Sequence, residues 1–237
     1  MKRREMKQAA KENLRGRRIG PFFMCLFFLF LSIPAAVCSF ASTMLSEYVE
    51  MVEEQSVVIA QLAHLDVATL LSYAAILSAA TTVFYYLIDT HAQVGLARYF
   101  IRFGREKAGL GAFLGGFFRK YFRTMWVYFL TGLKLILWTL CFIIPGLIKA
   151  VEYSMLHFVM ADNPDLSTRE IYRETRALMK GCKWKFFWLE FSFIGWYILC
   201  ALTCGLAVPF FLPYHSATLA EFYHYAKDRQ ANKDTEA

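Results

Sequence analysis

The stretch from Trp126 to Pro164 constrains this chain more than any other. It reads WVYFLTGLKLILWTLCFII, then Pro145-Gly146, then LIKAVEYSMLHFVMADNP. Two apolar runs on either side of a Pro-Gly pair spell a tight helical hairpin. The first run, Thr124 to Ile144, is long enough to cross a hydrocarbon core of ~30 Å at ~1.5 Å per residue. The second, Leu147 to Met160, is shorter and closes at Asp162-Asn163-Pro164, where the residue before proline leaves a helix. The expectation is a membrane hairpin, with its turn at Pro145-Gly146 on the outer surface and both ends on the cytoplasmic one.

The rest of the chain extends that reading. Hydrophobic residues make up 57% and aromatics 17% of the sequence, gathered in runs long enough to span. No second compositional block suggests a soluble domain, so residues 1–237 are expected to form one integral membrane domain. The net charge is +7, but the cations lie between the apolar runs. That is the pattern of cytoplasmic membrane loops and not of a nucleic-acid binder.

In chain order, a basic cytoplasmic segment, residues 1–18, leads into a first apolar run, Ile19 to Phe40. A cleaved signal peptide competes with a first span here, and the run is long for a signal peptide. Glu47, Glu50, Glu53 and Glu54 follow, and no Lys or Arg occurs from Ile19 to Ala97, which predicts an outer loop. Val67 to Ile88 is a second span. Its Ala74, Ser78 and Thr82 at i, i+4, i+8 suit close helix–helix approach. His64 and Asp66 read as polar caps at its outer end.

Residues 91–123 hold two amphipathic pieces. Leu96, Phe100 and Phe103 oppose Arg98, Arg102 and Arg105; Leu110, Phe113, Leu114, Phe117 and Tyr121 oppose Arg119, Lys120 and Arg123. Each reads as a helix lying in the membrane surface, against the alternative of a helix packed on the bundle. Beyond the hairpin, Ser167 and Glu170 make a capping box, Leu166 and Ile171 a hydrophobic staple, and Gly181 a stop. Arg169, Arg173, Arg176 and Lys180 form one cationic stripe on that helix. Together these ten cations are expected to contact anionic lipid headgroups, at ~1 kcal/mol each. Phe186 to Thr203 and Leu206 to Tyr225 are the last two spans; Pro209 and Pro213 predict a kink or a short extended entry before a helix starting at Pro213. The tail, residues 226–237, is cytoplasmic. The fold class is therefore all-α: a membrane helical bundle of about six spans, with cytoplasmic interfacial helices.

Chemistry leaves few marks. Of the six cysteines, Cys200 and Cys204 share a helix face at i, i+4, without further ligands nearby in sequence. No HExxH, GxSxG, Walker-type loop or CxxC pair is present, so neither an enzyme nor a cofactor is expected. Polar residues within the spans remain. Lys134, His157 and Glu190 could meet near the bilayer midplane, and Lys149 and Glu152 can pair at i, i+3 or reach headgroups.

Several motifs occur in series: IIPGLIKAVEYSM, ADNPDLS, LMKGCKWKFFWLEFSFIGW, LTCG and PYHSATLAEFY, with VGLARYFIRFGRE upstream. From about Leu137 to Tyr223 the chain resembles a bacterial multipass membrane family known as domain of unknown function 975. The resemblance implies a six-span plasma-membrane protein and brings no activity, cofactor or site residue. Three functions stay open: a non-enzymatic protein binding lipid or a partner, a small transporter, and a lipid-modifying enzyme.

Overall fold

The computed structural model of the chain describes residues 3–15, 19–54, 67–103, 109–117 and 120–236. Arg105 and Arg119, and with them His64 and Asp66, lie outside these. The described residues are helical throughout, with no strand. They divide into two compact units, Leu29–Asp89 and the remainder.

The smaller unit holds most of α2 (Ile19–Glu54), all of α3 (Val67–Phe84) and a π-helical segment, Tyr85–Asp89. The expected acidic outer loop is helical through Glu54. Neither Gly nor Pro occurs between Ala35 and Glu54, so nothing stops the helix. In the small-residue stripe on α3, Ser78 and Thr82 are exposed, their hydroxyls bonded back to Ala75 O and Ser78 O at 2.9 Å, and Ala74 is half-buried.

The larger unit is built around α4 (Thr90–Phe103). Eleven of its residues are buried, Leu96, Phe100 and Phe103 among them. It packs against α5 (Leu110–Phe117), α6 (Tyr121–Cys141), α8 (Leu156–Asp162) and α12 (Val208–Glu236). This corrects the interfacial reading of residues 91–103. The aromatic face is covered by protein, and Gly95 lets α5 approach so closely that a Cβ would stand 2.8 Å from Phe113 O. Arg98 is spent inside, donating to Gly115 O at 3.1 Å.

The hairpin forms, but it turns three residues before Pro145. Backbone Phe142 is extended between α6 and α7 (Ile143–Tyr153), and Pro145-Gly146 lie within the first turn of α7. Proline costs nothing there, because the first-turn N–H groups lack intrahelical partners. Gly146 has a different duty: a Cβ would stand 2.6 Å from Thr139 Oγ1 and 3.0 Å from Thr139 Cα.

Two of the long apolar stretches are broken midway. Ser154 and Met155 separate α7 from α8; Ser192 and Phe193 separate α10 (Lys183–Phe191) from α11 (Ile194–Leu202). Among the described residues, three stretches are long and apolar enough to cross a membrane: Tyr121–Cys141, Ile143–Asp162 and Lys183–Leu202. Between them lies α9 (Thr168–Met179), with its capping box and Gly181 at φ +78° as expected. Its Ile171, Tyr172, Thr175, Leu178 and Met179 are buried, and its four-cation stripe is exposed.

Two further differences concern the end of the chain. Helix α12 starts at Val208 and carries Pro213 inside it, five residues earlier than the expected start. Cys204 sits at φ +48° in the turn after α11, so it shares no helix face with Cys200.

Candidate functional site

The break between α10 and α11 gathers polar groups from two other places in the chain. On the first side stand backbone acceptors. Arg3 of α1 (Arg3–Arg15) donates to Trp188 O at 3.2 Å, and Lys7 donates to Ser192 O at 3.1 Å. The Lys7 ammonium also sits 3.8 Å from the centroid of Phe193. Burial holds Lys7 below the ordinary lysine value; Arg3 and Lys11 push the same way, and Glu190 opposes them.

On the second side is a carboxylate. Glu190 Oε1 lies 3.2 Å from His215 Nε2, and Tyr197 OH donates to Oε2 at 3.1 Å. Tyr197 OH is also 3.3 Å from that same ring nitrogen. Every group is satisfied when Nε2 carries the proton and donates to Glu190. Phe193 and Phe211 wall the imidazole, at 5.1 and 5.2 Å between centroids. A carboxylate, an imidazole and a phenol in one contact can hold or pass a proton. Among the described residues no three His, Cys, Asp or Glu side chains group as metal ligands would.

The break between α7 and α8 has its own ion cluster. The Glu152 side chain is 6% exposed and takes Lys149 at 3.0 Å and Lys183 of α10. Lys149 and Glu152 thus pair with each other at i, i+3, and the third member comes from a helix far along the chain. Tyr153 meets Tyr172 edge to face, and the Tyr172 hydroxyl donates to Val127 O at 2.8 Å.

Lys134 does not join Glu190 or His157. Its ammonium lies 3.4 Å from the centroid of Tyr172, in α9. The reason is the supply of partners: Glu190 is already met by His215 and Tyr197, while His157 packs on Phe158 at 4.6 Å between rings. His215 and Tyr197 were the members that sequence reasoning missed as partners. His215 carried a signal, being a histidine within an apolar run, but Tyr197 is one aromatic among many.

The cations expected to meet lipid fall into groups. Arg123 donates to Pro164 O at 2.6 Å and to Leu166 O, clamping the loop before α9. Lys120 pairs with Asp165 at 3.1 Å. Arg102, Arg169, Arg173, Arg176 and Lys180 are exposed, with Arg176 Nε donating to Tyr172 O within its own helix. A third tie closes the unit: Tyr223 donates to Asp162 Oδ2 at 2.8 Å, and Lys227 to the same oxygen at 2.5 Å.

Residues 124–230 match the model of a family described as a protein of unknown function, DUF975. That segment is similar to DUF975. No curated protein and no solved structure shows significant similarity to the chain. The DUF975 segment contains both helix breaks, Glu152, Glu190, His215 and Asp162 with their carboxylate ties, and most of the hairpin. Arg3 and Lys7, which cap the second break, come from outside it.

Proposed function

We propose that this is a six-span plasma-membrane protein with both termini cytoplasmic, which binds anionic lipid and catalyses no reaction. The observation that carries the reading is the apolar surface. Phe122 is 84% exposed, Leu140 82%, and Leu202 77%, and Phe142, Ile143, Ile144 and Leu147 are exposed at the hairpin tip. Water does not tolerate so many exposed large apolar side chains, and a bilayer covers them at no cost. The apolar part of α2, then α3 with its π segment, and the first half of α12 supply the other three spans. The Lys/Arg asymmetry sets the orientation.

Lipid binding rests on the exposed stripe Arg169, Arg173, Arg176 and Lys180. Each polar group at the helix breaks has a partner within the protein, so these groups read as ties between helix halves. The test has two parts. Single cysteines at Glu47 and Arg173, in a chain freed of native cysteines, are labelled in intact cells. Labelling of Glu47→Cys alone is expected; labelling of Arg173→Cys before permeabilisation overturns the topology. Changing all four stripe cations to Gln should weaken binding of the purified protein to anionic vesicles in a salt-sensitive way. Unchanged binding would remove the stripe from the proposal.

A second reading, a proton-linked transporter, is favoured by one observation. Glu190, His215 and Tyr197 meet at a helix break, and broken helices line transport sites in other membrane proteins. Proteoliposomes with a trapped pH dye decide it: proton flux that Glu190→Gln abolishes would establish transport, and no flux above empty vesicles would end this reading.

A further inference from the structure

A groove of about 980 Å³ opens between α1, the first turns of α2, α11 and α12. We infer that it seats one anionic phospholipid of the bilayer, with the phosphate on Lys11 and Arg15 and the chains along Ile19, Phe23, Trp196 and Phe210. The inference rests on the membrane reading above and adds to it a defined site.

The stripe Arg3, Lys7, Lys11 and Arg15 runs along α1 at i, i+4, i+8, i+12, so the four cations share a face. The first two are consumed by Trp188 O and Ser192 O. The other two stand at the mouth of the groove, and neither has a carboxylate partner among the described residues. Lys11 faces the Tyr214 ring, 5.6 Å from its centroid. Glu12 shares the mouth, but Gln8 Nε2 donates to its Oε1 at 3.0 Å. The lining therefore carries two cations without a carboxylate partner and one carboxylate held by an amide, a net positive charge.

The walls behind it are apolar. Ile19 is 74% exposed, Phe23 61% and Phe210 67%, and the Phe22 and Phe210 rings stand 5.6 Å apart. The volume lies at the upper end of what small-molecule pockets enclose, roughly 300–1,000 Å³. A small soluble anion would leave these walls wet, and a neutral lipid would leave both cations unmet. A molecule with an anionic head and apolar chains meets both demands.

The test uses the full chain in phosphatidylcholine nanodiscs, titrated with brominated phosphatidylglycerol or brominated phosphatidylcholine. Bromine quenches tryptophan on contact, and the difference between wild type and Trp196→Phe isolates the groove. Quenching of Trp196 should favour phosphatidylglycerol by on the order of tenfold, given two open cations. Lys11→Gln combined with Arg15→Gln should remove the preference, whereas the four Gln changes in α9 should leave it. Both sets of cations are exposed, and circular dichroism checks that the variants keep their helices. Equal quenching by the two lipids, or a preference that survives Lys11→Gln/Arg15→Gln, overturns the site. Failure to enter nanodiscs at all would instead overturn the membrane reading, which alkaline extraction of cell membranes tests separately.

Discussion

At the scale of single residues, the buried carboxylate of Glu152 sets the sharpest constraint. With its side chain 6% exposed, it depends on Lys149 and Lys183 for its charge. Removing both lysines strands the anion, which should cost about 3–5 kcal/mol. Lys149→Met/Lys183→Met should therefore unfold earlier in detergent, and adding Glu152→Gln should recover much of the loss. A triple variant no more stable than the double would show that the lysines act through packing. Lys134 makes the contrasting case. Its contact is the face of Tyr172, worth about 0.5–2 kcal/mol. Lys134→Met should lose that amount and show no coupling to Glu190→Gln beyond ~0.5 kcal/mol in a double-mutant cycle. The sequence marked Lys134 and Lys149 as intramembrane charges, and it put Lys149 within reach of Glu152 by helix spacing. Lys183 and Tyr172 come from other helices, and no spacing rule reaches them.

At the scale of elements, the hairpin turns on Gly146. A methyl group there would meet Thr139 Oγ1 at 2.6 Å and the Thr139 Cα at 3.0 Å, so α6 and α7 would have to part. Gly146→Ala should destabilise by about 1–3 kcal/mol. Thr139→Ala in the same chain should restore only part, because the backbone contact stays. Thermal unfolding of the two variants measures it. Helix α9 shows an effect of pH. Hydrogen bonds from Ser167, side chain first and backbone second, hold the Glu170 carboxyl below its ordinary range. A depressed folded value contributes stability above the unfolded one and loses it as pH falls through the folded value. Protection of the Ser167 and Glu170 amides, taken relative to their intrinsic exchange rate at each pH, should fall on acidification, and Glu170→Gln should flatten that dependence. The capping box could be read directly from Ser167 and Glu170, because a cap is a local device. The breaks at Ser154 and Ser192 could not, since neither has a proline or glycine to announce it.

At the scale of the whole molecule, the distribution of apolar residues separates core from coat. Phe158 is 2% exposed and stacks on Tyr223 at 5.6 Å, whereas Phe122 is 84% exposed. Phe158→Ala should cost about 3–5 kcal/mol of stability in detergent. Phe122→Ala should cost almost nothing, because lipid or detergent covers that site in both states. Similar losses at the two positions would place Phe122 in an interface. The sequence by itself determined the helical class, the apolar stretches, the hairpin, the cap and stop of α9 and the DUF975 kinship. All of these are written in periodicities and motifs within one segment. Only the tertiary structure decided that α4 is a core helix. The amphipathic pattern that would lie on a membrane also serves to pack against α5, α6, α8 and α12, and a sequence does not say which surface covers a face. The same holds for Glu190. Its partners His215 and Tyr197, and the Lys7 that caps the neighbouring carbonyl, meet it only because helices distant in sequence fold side by side.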